Sequence, residues 1–374
     1  MKIDSAQVSG KQFMFTLAFF LQASALLTSF LAGIVKHEAW LSVLMGLVLC
    51  IPLFFLYRAM MLMFPDLNYM QVLCLAYGRV AGKILGVMYV WFFLTLTAAN
   101  VMDLGDFSKI TFTNETPNIV PILICMFIAV WAVRNGFNVV SRFSKTFTIV
   151  EFLIVGISIA FLGNQMDLSN LLPVFTMPLI KYVQSVHIFA TIPCGELVIF
   201  LMLTPCVKKM TPREATKYWF GGIAMGMTVV LAVLLRDISL LGNALDMFTL
   251  PGLVTMRLVN LGEALSRMEV IFAVALVMLL CFKITVLCYI TTITVAQLFE
   301  TTQFKQLAAI VGLLLIAYAP TLYPSSVEHS LSARTGAPFI WTLFEILLPL
   351  STFIVAKVRK LPQKAAAAIK SQEA

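Results

Sequence analysis

Long apolar runs recur along the chain, each about the length of a helix that crosses a bilayer, and short polar segments separate them. Crossing about 30 Å of hydrocarbon at 1.5 Å per residue takes about 20 mostly apolar residues. By that measure the sequence predicts ten spans: Phe13–Val35, Trp40–Met63, Val80–Met102, Ile119–Val133, Val140–Leu162, Ile180–Leu203, Tyr218–Leu235, Val270–Phe299, Leu307–Tyr323 and Pro338–Val355. No polar stretch between them is long enough to build a separate core. The expectation is therefore one transmembrane domain over 1–374, with an N-terminal segment (1–12), a ten-helix bundle (13–355) and a basic tail (356–374). Lys2 and Lys11 precede the first run and no small-residue cleavage site follows it, so it is expected to stay as a helix of the bundle.

Composition excludes a water-soluble globule: 60% of the 374 residues are hydrophobic and 12% charged, against roughly 45–50% and 25% in soluble domains. The net charge of +8 is not a nucleic-acid patch, because the basic residues flank the apolar runs. Of 26 Lys and Arg, eighteen fall in the N-terminus, the even-numbered loops and the tail. Seven fall on the other side (Lys36, Lys109, Lys181, Arg236, Arg257, Arg267, Arg334), and Lys283 lies within a span. The positive-inside rule then puts both termini in the cytoplasm. The tail, Lys357 to Lys370, is expected to set topology and touch anionic lipid rather than bind nucleic acid.

Enzyme signatures do not emerge. Seven cysteines form no CxxC pair, and three widely spaced histidines (His37, His187, His329) offer no metal-ligand spacing. Phosphate-loop and nucleophile-elbow motifs are missing too. The expectation is a non-enzyme with no cofactor and no metal.

Ionisable groups at bilayer depth are costly and mark functional sites by default. Four qualify: Glu151 in span 5, Glu196 in span 6, Lys283 in span 8 and Glu345 in span 10. Three acids and one base leave two carboxylates without an opposite charge. Two readings stay open, a Lys283–carboxylate pair that pins helices together and a ligand or coupling site. In span 6, Ile192-Pro193-Cys194-Gly195-Glu196 interrupts an apolar run. Proline removes a donor, glycine frees the backbone, and the helix is expected to break there, lining a cavity or forming a plain kink. Span 1 carries a small and polar patch, Gln22-Ala23-Ser24-Ala25. Interruptions five spans apart are what an inverted-repeat transporter places at corresponding positions of its halves. In span 3, Thr97 and Asn100 share a face that Asp103 and Asp106 continue, as a lined path or as a helix emerging into outer water.

With these residues in place, the chain resembles the B subunit of bacterial spore germinant receptors, the GerAB-type spore germination family within the amino acid–polyamine–organocation superfamily. The ordered motifs are AWLSVLMG (Ala39–Gly46), YGRVAGKILG (Tyr77–Gly86), ETP (Glu115–Pro117), DLSNLLPV (Asp167–Val174), PCGELVIFLM (Pro193–Met202), RME (Arg267–Glu269) and FKIT (Phe282–Thr285). The resemblance implies an all-α, polytopic membrane protein with ten transmembrane helices, a LeuT-like 5+5 inverted repeat and broken helices 1 and 6. It implies a ligand site built from Ala23, Ser24, Ala25, Thr97, Asn100, Pro193, Cys194, Gly195, Glu196, Lys283 and Thr285, with Trp341 and Phe344 as apolar walls. It also implies the bacterial spore inner membrane and two partners: an A subunit with a large cytoplasmic region and a lipoprotein C subunit. Two departures stand out. Ala23-Ser24-Ala25 replaces the glycines common in the span 1 break, and Glu345 lies outside the pattern. The expected function is nutrient sensing, with a small molecule such as an amino acid bound at mid-membrane. The rivals are a proton-coupled amino-acid or polyamine permease, a ligand-free membrane subunit and an ion-conducting component.

Overall fold

The computed structural model describes residues 7–111, 117–258 and 268–361, with the side chains of 25–29 and 268 outside the description. Among the described residues the chain is all-helical. A lone parallel bridge joins Val8 to Val207, through Val8 N–H to the Cys206 carbonyl at 2.8 Å and Lys208 N–H to the Val8 carbonyl at 3.0 Å.

The chain begins with α1 (Gly10–Gln22), a 3-10 turn over Ala23–Leu26 and α2 (Leu27–Val35). There follow α3 (Ala39–Met63), α4 (Tyr69–Tyr77), α5 (Arg79–Thr111), α6 (Ile119–Arg134) and α7 (Phe137–Leu162). Next, α8 (Leu179–Phe189) passes into a π turn over Ala190–Cys194 and a 3-10 stretch over Gly195–Leu201. The remainder is α9 (Pro212–Leu241), α10 (Pro251–Arg257), α11 (Met268–Leu298), α12 (Phe304–Tyr318), α13 (Ser326–Arg334) and α14 (Gly336–Thr342), then a π turn over Leu343–Leu347 and α15 (Leu348–Val358). Side-chain caps fix several starts. Ser9, Asn68 and Thr211 each accept from the backbone N–H three residues on, and the Gln12, Gln71 and Glu214 side chains bond back.

Eight helical runs among the described residues are long and apolar enough to cross a bilayer, where the sequence predicts ten. The run Phe30–Met63 takes the end of predicted span 1 together with predicted span 2, and the side chains of 25–29 just before it lie outside the description. Predicted span 4 has only 16 residues. The short helices α4, α10 and α13 lie between the predicted spans.

Exposure is the reverse of that in a soluble protein. Phe127 and Val80 are each 76% exposed, while Lys283, Glu196, Glu345 and Arg236 are at most 3% exposed. An apolar exterior with the ionisable groups turned inward is what hydrocarbon requires, and the chain is a multi-pass membrane protein. Small residues let helices approach closely. Gly222 and Gly226 of α9 form a G-x-x-x-G face on α1; a Cβ on Gly226 would lie 2.6 Å from Leu21 Cβ and 2.9 Å from the Ala18 carbonyl.

Two polar clusters tie the ends of the helices together. The Glu38 carboxylate gathers the loop before α8: it accepts from Phe175 N–H at 2.5 Å, Thr176 N–H at 3.1 Å, and the Thr176 and Tyr182 hydroxyls. The second cluster, Arg236 with Asp237, corrects the expectation that places Arg236 in a loop between spans. Because α9 runs on to Leu241, both are buried inside the bundle. Arg236 donates to Asp237 Oδ1 at 2.7 and 3.0 Å and to Ser158 Oγ of α7 at 2.8 Å, and Thr255 of α10 donates to the same carboxylate oxygen at 2.8 Å. The guanidinium also lies 5.4 Å from the Phe272 ring centroid of α11. Asp237→Ala leaves a buried guanidinium unpaired and is expected to cost about 3–5 kcal/mol, read as a lower melting temperature in detergent. The double change Arg236→Met with Asp237→Leu is expected to recover most of that loss.

Candidate functional site

Two irregular stretches meet in the middle of the bundle. After α8, Ile192 leaves helical geometry (φ −110°, ψ 103°) ahead of Pro193, so backbone groups from 190 to 201 lack a regular ladder. Facing it, the π turn over Leu343–Leu347 loosens the ladder of the last span. Buried backbone groups need partners, and two tyrosines supply them. Tyr57 of α3 donates to the Gly195 carbonyl at 3.1 Å and to the Glu345 carbonyl, and Tyr89 of α5 donates to the Phe344 carbonyl at 2.7 Å. A Cβ on Gly195 would collide with Glu345 Oε2, so glycine is the residue that lets the two stretches touch.

Beside this contact Lys283 Nζ of α11 lies 2.7 Å from Glu196 Oε2, both almost wholly buried. Its ammonium also donates to Ser24 Oγ at 3.3 Å, in the turn between α1 and α2, and stands 5.1 Å from the Phe20 ring centroid. One cation thus connects the interruption after α1 with the one after α8. A cavity of about 40 Å³ adjoins the pair, lined among others by Ser24, Asn100, Ile192, Glu196, Lys283 and Trp341. It has room for a few waters; a small-molecule pocket spans roughly 300–1,000 Å³, so a nutrient fits only once the Lys283 and Glu196 side chains part.

Above this cavity opens a vestibule of about 490 Å³, whose walls include Asp106, Asp246 and Arg334. Phe30, Asp103 and His329 line both spaces and separate them. Nδ1 of His329 stands 3.7 Å from Asp103 and 4.0 Å from Asp106. Burial opposes protonation of His329, but the two aspartates outweigh it and raise its pKa.

The structure brings together Ala23, Ser24, Asn100, Glu196, Lys283 and Trp341 around one cavity. It separates others that the resemblance placed there. Thr97 bonds to the Phe93 carbonyl at 2.6 Å and meets Thr291 at 3.0 Å, away from the cavity. Thr285 is satisfied by the Cys281 carbonyl at 2.7 Å. Phe344 stacks on Phe92 at 4.8 Å. Pro193, Cys194 and Gly195 shape the interruption without lining the cavity. Glu151 is buried on α7, where Arg236 is the charge that acts on it. Side-chain contacts of Ala25 lie outside the described residues, as do Glu115, Arg267, Lys364 and Lys370. Asp103 and Asp106 do not simply emerge into outer water, because α13 covers them through His329. Sequence reasoning missed Tyr57, Tyr89 and Phe20, which read as ordinary aromatic packing until their partners 255 to 288 residues away, or the ammonium, are in place.

Residues 7–325 match the model of a family described as spore germination protein. The chain belongs to that family. It is 27% identical to spore germination protein KB of Bacillus subtilis strain 168, over 96% of both chains. It is 26% identical to the putative spore germination protein YfkT of the same organism, over 87% of this chain and 89% of that one. Among solved structures, this spore germination protein resembles MHP1, a nucleobase-cation-symport-1 family transporter in a closed conformation with bromovinylhydantoin bound. The TM-score is 0.63 at 13% identity, covering 90% of this chain and 77% of that one. It also resembles MhsT in complex with L-phenylalanine, with a TM-score of 0.58 at 15% identity, covering 91% and 97%. The fold is therefore that of LeuT-type transporters.

A raised pKa for His329 stabilises the fold fully below the ordinary histidine value of about 6.5, and this contribution is lost as pH rises through the folded-state value. Wild type is therefore expected to gain thermal stability over His329→Asn at mildly acidic pH and to lose that advantage at alkaline pH. A difference in melting temperature that stays flat with pH would reject the pairing.

Proposed function

We propose that this chain is the membrane-embedded, nutrient-sensing B-type subunit of a spore germinant receptor. It takes a small zwitterion such as an amino acid between Glu196 and Lys283. The observation that carries this reading is the buried Glu196–Lys283 pair, held between two interrupted helices beside a cavity. A ligand ammonium replaces Lys283 at Glu196 while the ligand carboxylate takes Lys283, so no buried charge is left alone. The L-phenylalanine of MhsT, bound within the same fold, supports an amino acid as the ligand class.

In this reading the chain makes ten membrane passages in two inverted five-helix halves. The turn at Ala23–Leu26 and the irregular stretch after α8 serve as the broken helices 1 and 6. The whole chain acts as one transmembrane domain in the spore inner membrane, with both termini cytoplasmic by the distribution of its basic residues. Binding shifts the population between open and closed bundles, which requires a ligand of different affinity for the two. An A subunit with a large cytoplasmic region and a lipoprotein C subunit receive that shift. No bond is made or broken, and no cofactor takes part.

The same fold also fits a second reading, a stand-alone proton-coupled amino-acid or polyamine permease. Uptake of labelled amino acid into proteoliposomes under a pH gradient separates it from the receptor. The receptor is expected to bind without accumulating substrate.

The test of the site is thermal stabilisation of the purified chain across amino acids, sugars and polyamines. A ligand at about 100 times its Kd adds about 2.7 kcal/mol. Glu196→Gln and Lys283→Met are each expected to abolish a selective shift that wild type displays. Retention of the full shift by both variants would place the ligand elsewhere.

A further inference from the structure

The cluster at the centre of the bundle holds one carboxyl group more than the ligand site uses. Glu345 is fully buried, and neither of its carboxylate oxygens meets a hydrogen-bond partner among the described residues. Its carboxyl lies over Gly195, where an added Cβ would stand 2.3 Å from Oε2. The titratable groups that face it are Tyr57 and Cys50 of α3, Tyr89 of α5, Cys194 and Glu196 from the stretch after α8, and Lys283 of α11. Lys283 is the cation of that set, and Glu196 already engages it at 2.7 Å. Two carboxyl groups and one ammonium make a neutral cluster only when one carboxyl carries a proton. An unpaired carboxylate buried in this way is strongly disfavoured, and the carboxyl without a partner is Glu345.

We propose that Glu345 is a proton-binding site, a neutral carboxylic acid that ionises when Lys283 is released from Glu196. Lys283 has two claimants, Glu196 holding it and Glu345 in reserve. When another cation takes over Glu196, Lys283 is free to recruit Glu345 as a carboxylate, and the carboxyl proton passes to water. The cluster keeps its net charge, and one proton leaves for each added positive charge. A cationic amine therefore releases a proton on binding, whereas a zwitterion that satisfies both Glu196 and Lys283 does not. This assignment stands on the Lys283–Glu196 contact and on the buried, unpartnered carboxyl of Glu345, and holds whatever ligand the site takes.

Infrared spectroscopy of the full chain in lipid nanodiscs reads the proton directly, because a carboxylic acid has a carbonyl stretch distinct from that of a carboxylate. All spectra are taken in a Glu151→Gln background, since Glu151 is a further buried acid, outside this cluster and without the guanidinium contact of Asp237 or the hydrogen bonds of Glu38. The parent is expected to display one buried carboxylic-acid band at neutral pH. Glu345→Gln loses it. Glu196→Gln also loses it, because Lys283 then pairs with an ionised Glu345. Lys283→Met doubles it, because both acids become neutral. Persistence of the band in Glu345→Gln or in Glu196→Gln, or no increase in Lys283→Met, overturns the proposal. The last two variants carry the test if Glu345→Gln does not fold. Loss of the shift panel with this band pattern intact would reject the ligand site while leaving the proton site in place.

Discussion

An ammonium group in the middle of an apolar bundle governs the arrangement around it. Removing Lys283 and Glu196 from water costs several kcal/mol for each ion, and their attraction offsets this only if they stay close and well surrounded. The elements around the pair provide that setting. The Ala23–Leu26 turn offers the Ser24 hydroxyl, α1 offers the Phe20 ring face, and the irregular stretch after α8 delivers Glu196. A regular helix through Ile192–Gly195 would carry Glu196 round to another face. Bending the chain at Ile192 therefore serves the ion pair as much as it accommodates Pro193.

The remaining cost of irregularity is met by hydroxyl groups on long aromatic side chains. Each unwound segment frees carbonyls that lipid cannot satisfy, and Tyr57 and Tyr89 reach them from neighbouring helices. The same logic operates near the helix ends, where one Glu38 carboxylate organises a whole loop. Tyrosine and glutamate in this protein act as stitching between backbone segments far apart in sequence.

This explains which parts the sequence revealed. Apolar length gives the membrane class, and Pro193 followed by Gly195 marks the interruption in span 6, because these signals are local. The four buried ionisable residues could be singled out too, since charge in an apolar run is conspicuous. Their partnership could not: Glu345 is nearer to Lys283 along the chain than Glu196 is, and only the packing of α11 against the stretch after α8 selects Glu196. Arg236 and Asp237 illustrate the opposite failure. Near a span end, a charged pair reads as solvated until the helix is seen to continue past it. His329 was set aside for want of a nearby ligand, yet α13 folds back to place it over Asp103 and Asp106.

The interlocking of α1 with α9 has a mechanical meaning. With Gly222 and Gly226 holding α1 so close that a single added carbon would strike its backbone or side chains, those two helices act as one beam. On the far side of the Ala23–Leu26 turn, α2 packs instead on α8, and the sequence between the two packings is one short turn. That turn is the fulcrum at which Ser24 sits, so a displacement of α2 relative to the beam is felt first at the hydroxyl touching Lys283.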